Sequence, residues 1–334
     1  MGRLTNILKG QLSQYSTNRN MRNGRVKKDI NSNFQKIKCL NNEDIFEKEI
    51  SDIFESKVIW QYVSANFAPT KVENLRKYLT VSYSGEFLYD FRWMIYCIKQ
   101  NSNLINIFVQ NRKEIDKRIL FGQYKEALDI LEETEQKCGI SFWSCEYKIF
   151  LYKKLEVNME DIRKDIKGLA GFILECFSLK NFENISFDDY RYVLEKQLKV
   201  LAAKSDIDLY LKYIAMRRQI DITEENVMKI IKYALDDSII DQYILIVDIC
   251  QLMVGKHKYN KMYCIIKKYI NQLKQIEDDS LIAVRFSYED IDKRSNYTIK
   301  EGLLEAKNSF IAGKIELSYK QALEFLRKDP YNIE

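Results

Sequence analysis

One histidine is available to the whole chain, and most hydrolytic or nucleophilic chemistry would have to pass through it. His257 stands in VGKHKYNK, beside lysines. No arginine lies four to six residues before it, so the helical ribonuclease pattern R-x4–6-H is missing. A Ser–His–Asp or Cys–His arrangement would need this same imidazole in a stretch that reads as a solvated helix start. Two E-x-K triplets, Glu55-Ser56-Lys57 and Glu146-Tyr147-Lys148, resemble the metal-dependent nuclease signature. Both fall on predicted helices, whereas that chemistry needs a strand to present carboxylate and lysine together. Seven cysteines are scattered without a C-x-x-C, mostly among apolar residues, and read as reduced core thiols of a cytoplasmic protein. Zinc-ligand spacing, G-x-x-x-x-G-K-[ST] and G-x-G-x-x-G are absent. The expectation is a protein that is not an enzyme, with no cofactor and no metal.

Basic residues offer a different chemistry. Arg3, Lys9, Arg19, Arg22, Arg25, Lys27 and Lys28 precede the first acid, Asp29. On a flexible arm such charges can track phosphates by displacing condensed counterions, or fold onto a protein partner. Lys256, Lys258, Lys261, Lys267, Lys268 and Lys274 lie between Asp248 and Glu277 with no acid among them, and Tyr259, Tyr263 and Tyr269 interleave. Lysines alternating with rings are a pattern of single-strand binders that stack bases, although Tyr269 also belongs to an apolar seam. Leu4, Ile7, Leu8 and Leu12 fall on one helical face and form a candidate partner-docking helix.

The elements that carry these residues are helical throughout. Two prolines and eleven glycines in 334 residues are too few for the turns of a sheet protein. With 46% hydrophobic and 30% charged residues the chain is neither disordered nor membrane-embedded. Its most apolar run, 239–254, is interrupted by Asp241, Gln242, Asp248 and Gln251, so no membrane association is expected. Asn42 with Glu43 and Asp44 opens a helix bearing Phe46, Ile50, Ile53, Phe54 and Val58. TKVE at 70–73 and TIKE at 298–301 read as capping boxes, the first followed by Val72, Leu75 and Leu79 at helical spacing. Ile173 and Cys176, then Ile266, Tyr269, Leu273 and Ile276, continue the three-and-four rhythm of helix packing seams. LIAVRFSY at 281–288 is the one stretch that could be a strand.

LFGQYKEALDIL at 120–131 carries Gly122, Tyr124 and Ala127. It resembles the middle of a tetratricopeptide repeat, in which a glycine ends the first helix, an aromatic fills the corner and a small residue lets the second helix approach. The resemblance covers about half a repeat, 120–139. Asn111, Glu114, Ile115 and Arg118 stand where that family has Trp, Leu, Gly and Tyr, and Gly139 where it has proline. Nothing equivalent recurs 34 residues on, the period of that repeat. What this implies is an all-α array of antiparallel hairpins stacked as an α-solenoid, the alternative being a compact all-α domain. Residues 1–40 would form the amphipathic helix and basic arm, and 41–334 the array, with a division near 155–160. Such an array is expected to serve as a protein-interaction scaffold, the adaptor subunit of a larger complex. The second expectation is a nucleic-acid-binding accessory subunit of a bacterial immunity or mobile-element system.

Overall fold

The computed structural model describes residues 2–17, 24–77, 82–157, 168–180, 186–201, 207–216, 223–254, 260–289 and 315–328. Sixteen α-helices and no strand occur among them. The all-α class is therefore as the sequence predicts. LIAVRFSY falls inside a helix, Asp279–Glu289, where Leu281, Val284 and Tyr288 turn inward together at helical spacing. The chain divides into two compact units, Met1–Leu245 and Ile246–Glu334, rather than near 155–160.

The first unit opens with α1 (Arg3–Thr17), α2 (Gly24–Lys38), α3 (Glu43–Glu55) and α4 (Lys57–Val63), which pack on one another. Residues 24–38 are thus not a flexible arm. Ile30, Phe34 and Ile37 are buried, and Phe34 stacks on Tyr62 of α4 at 5.6 Å. Asn42 caps α3 as predicted, its Oδ1 accepting from the Ile45 N–H at 3.0 Å. The segment after Pro69 departs from expectation. Only a single 3-10 turn, Val72–Asn74, forms where a capped α-helix is predicted. Tertiary bonds override the local signal there: the Pro69 carbonyl accepts from Ile140 N–H at 2.7 Å, and Arg76 adopts φ +55° and turns inward. The second capping box, 298–301, lies outside the described residues.

α5 (Phe87–Gln100) is the central helix of this unit, with every residue from Asp90 to Ile98 buried. α6 (Ser102–Leu120), α7 (Tyr124–Cys138) and α8 (Phe142–Lys154) follow as consecutive packed hairpins. Gly122 at φ +71° closes α6, and the Gln123 N–H reaches the Arg118 carbonyl at 2.9 Å. Tyr124 meets Phe150 edge-on at 6.2 Å, and Ala127 is fully buried. Next come α9 (Gly168–Lys180), α10 (Phe187–Leu201), α11 (Ile207–Met216) and α12 (Glu224–Ala234), each packed against its predecessor. The Lys180–Glu146 ion pair at 2.6 Å ties α9 to α8 across the predicted boundary near 155–160, which is why the unit continues through it.

α13 (Ile239–Val254) contains the boundary between the units. The second unit holds its latter half with α14 (Lys261–Tyr269), α15 (Asp279–Glu289) and α16 (Ile315–Lys328). Ile266, Tyr269, Leu273 and Ile276 are all buried, as the seam requires. The Tyr288 hydroxyl donates to the Cys250 carbonyl at 3.0 Å.

Candidate functional site

Two clusters of ionisable groups lie where water is excluded. Asp90 and Arg92 of α5 are fully buried. The Asp90 carboxylate pairs with the Lys38 ammonium and accepts from Ser84 Oγ at 2.6 Å, and Lys38 also donates to the Ser82 carbonyl at 2.8 Å. Arg92 donates to the Lys38 and Leu40 carbonyls at 2.9 and 2.8 Å, its guanidinium 3.6 Å over the Phe46 ring. These bonds satisfy the last carbonyl of α2 and that of Leu40 two residues past its end, a helix-terminus role. Burial lowers the Lys38 pKa, and Asp90 opposes that shift.

A second buried cluster joins distant parts of the first unit. Arg76 Nη1 donates to the Tyr210 hydroxyl at 2.6 Å, to the Tyr233 carbonyl at 2.7 Å, and to the Asp237 carboxylate. Tyr210 in turn donates to Asp237 at 2.6 Å. Burial pushes Asp237 up to about 7 against the opposing pull of Arg76. One turn on, Asp241 accepts from the Phe142 and Trp143 N–H groups at 2.7 and 3.1 Å, capping α8 from α13. It also accepts from Ser238 Oγ at 2.8 Å. Each acid in both clusters therefore has helix-holding partners.

The E-x-K residues have the same fate. Glu146 pairs with Lys180 and Lys148 with Glu135, so the triplet at 146–148 makes no joint site. Ser56 separates α3 from α4, placing Glu55 and Lys57 on different helices. No cluster of three His, Cys, Asp or Glu suited to a metal ion occurs among the described residues. Nor is any described helix long and apolar enough to cross a membrane. His257 lies outside the described residues.

The proposed docking helix α1 spends its apolar face inside the fold. Leu8 and Leu12 are buried, Leu4 is half-buried, and Ile7 alone points outward at 44% exposure. Its first turn is fixed by buried Glu49 of α3, whose carboxylate accepts from the Leu4 and Thr5 N–H groups at 3.2 and 2.8 Å. A partner would have to displace these contacts, which corrects the expectation that this face is free. Arg19 and Arg22 lie outside the described residues. Arg25, Lys27 and Lys28 belong to α2, but their side chains are outside what the structure describes.

Lys256 and Lys258 are outside the described residues, whereas Lys261 is exposed at the start of α14. Lys267, Lys268 and Lys274 are exposed as well. The rings predicted to interleave with them are not: Tyr263 and Tyr269 are buried, Tyr263 against Tyr288 at 4.9 Å. Tyr259 is outside the described residues. Base stacking on these two tyrosines is thereby ruled out, because α14 needs them for its core.

Sequence reasoning passed over one surface feature. Leu120 and Phe121, at the α6–α7 corner, are 86% and 70% exposed. The signal was present: two bulky apolar residues directly precede the glycine that must end the helix. Surrounding charges are paired, Arg118 with Glu114 at 2.8 Å and Lys125 with Asp129 at 3.0 Å. Comparisons with protein-family models, with curated proteins and with solved structures found no match to this chain.

Proposed function

We propose that this chain is a non-enzymatic helical scaffold that docks another protein subunit through the α6–α7 corner. The observation that carries the reading is the exposure of Leu120 and Phe121 on a corner held rigid by Gly122, the Arg118–Gln123 bond at 2.8 Å and Ala127 packing. Keeping two large apolar side chains in water forgoes roughly 1.5–3 kcal/mol of burial for each. Adjacent exposed apolar residues inside a polar rim have the anatomy of a protein interface. Because the rim cations are neutralised by acids three or four residues away, this surface favours a protein with an apolar pocket over a polyanion. The buried ion clusters support the same reading, since they hold α5, α8 and α11–α13 in place.

The test is affinity capture from the native host after nuclease digestion, with wild type and with Leu120→Asp/Phe121→Asp. The expected result is one stoichiometric protein held by wild type and lost by the variant, whose melting temperature is unchanged. A partner retained by the variant, or none held by wild type, refutes the reading.

A further inference from the structure

A strongly charged face in the second unit remains unused by that reading. Lys261, Lys267 and Lys268 are exposed on α14, and exposed Lys274 directly follows the 3-10 extension Ile270–Leu273. At 100° per residue the first three fall within an arc of roughly 120°, opposite buried Ile266 and Tyr269. Lys261, Lys267 and Lys274 make no ion pair among the described residues, unlike Lys148, Lys180 and Lys212 of the first unit. No acid interrupts the chain between Asp248 and Glu277. From Lys261 to Lys274 the helical path covers about 20 Å.

We infer that the α14 face binds the sugar–phosphate backbone of duplex nucleic acid, without reading bases. Charge complementarity selects the class of partner: a polyanion with one charge per ~1.7 Å of axis offers phosphates along the whole 20 Å run. The burial of Tyr263 and Tyr269 selects the mode, because the two described rings interleaved with these lysines offer no open face on which an unpaired base could stack. Lysine contacts that reach only phosphates position a protein on the duplex and carry no sequence information.

The experiment uses the full chain and a short labelled duplex of scrambled sequence, titrated between about 50 and 200 mM salt. Wild type is compared with Lys261→Gln/Lys267→Gln/Lys268→Gln/Lys274→Gln and with the matching four-arginine variant. Losing four phosphate contacts should reduce the log–log salt slope by about 3 to 4 and weaken binding at low salt at least ~30-fold. The arginine variant should bind as wild type does, and a second scrambled duplex should bind equally. Absence of binding at low salt, a glutamine variant indistinguishable from wild type, or an arginine variant that also fails would overturn the inference. So would equal or tighter binding to polyglutamate or to anionic vesicles. The glutamine variant should still capture the protein partner, so failure of this face and failure of the Leu120–Phe121 corner are read separately.

Discussion

Among the described glycines of positive φ, Gly139 is where a single methyl group should do the most damage. The residue ends α7 at φ +82°, ψ 166°, a conformation open essentially to glycine alone, and holding another residue there costs about 1–3 kcal/mol. The space is closed as well. A Cβ at 139 would stand 2.5 and 2.6 Å from the Cα and carbonyl carbon of Ala68, both backbone atoms. Residues 67–69 would have to retreat, and they carry two bonds that fasten this loop: Pro69 O to Ile140 N–H at 2.7 Å and Phe67 O to Ile239 N–H at 3.0 Å. Weakening both adds about 1–2 kcal/mol, so Gly139→Ala should cost about 2–5 kcal/mol in all. In a unit of this size that lowers the melting temperature by roughly 4–20 °C.

Gly122→Ala supplies the control, since it shares the positive φ at +71° but meets no atom within 4 Å. Its cost should be the conformational part alone, about 1 kcal/mol. Thermal and urea melts followed by circular dichroism separate the two. A second variant sharpens the test: adding Ala68→Gly to Gly139→Ala should restore little, because the obstructing atoms are backbone. Equal losses at 122 and 139, or full rescue by Ala68→Gly, would refute the argument that close approach dictates this glycine.

Other consequences can be measured in the same way. Trp143 is 5% exposed and meets Phe108 edge-on at 4.9 Å, so Trp143→Ala should destabilise by about 3–5 kcal/mol in urea melts. Lys38→Met strands the buried Asp90 carboxylate and should cost about 3–5 kcal/mol, part of which Lys38→Met/Asp90→Leu recovers in a double-mutant cycle. Asp237 holds its proton more tightly folded, with a pKa raised to about 7, than unfolded, near 4. Its contribution therefore favours the fold at low pH and is withdrawn as pH rises from about 4 through 7. Asp237→Asn should flatten the stability profile across that window, and an unaltered slope in pH-dependent melts would show that Asp237 does not titrate there.

What could be read from the sequence divides by the range of the interaction. Asn42, Gly122 and the seam Ile266–Tyr269–Leu273–Ile276 act within a few residues, and each sits as its spacing requires. The buried polar groups act across long separations and were not legible. Asp90 and Arg92 read as polar interruptions of an apolar helix, yet they are buried because Lys38, Leu40 and Ser84 come to them. Thr70-Lys71-Val72-Glu73 is a sound local helix signal, defeated by Ile140 and Asp237 from far along the chain. The same holds for α1: its amphipathic face was visible, but not that α2, α3 and α4 would cover it. On the candidate surfaces, lysine positions were legible and tyrosine burial was only partly so, because Tyr269 lay on the seam and Tyr263 did not.

The stretch that resembles a tetratricopeptide repeat can be weighed in the same terms. Gly122 satisfies the end of α6, Tyr124 fills the corner against Phe150, and Ala127 lets α7 approach. Any tight helical hairpin makes those three demands, so hairpin geometry suffices to account for the residues. Consecutive packing from α6 through α12 has the nearest-neighbour character of stacked hairpins. Asp241 of α13 capping α8, and Arg76 reaching Tyr210, Tyr233 and Asp237, are closures of another kind, joining helices far apart in sequence. In a purely one-dimensional array such bonds do not exist, and each element can open with only its neighbours. Here the buried acids make α8, α11, α12 and the start of α13 one cooperative element, which keeps the frame beneath the Leu120–Phe121 corner from fraying one hairpin at a time.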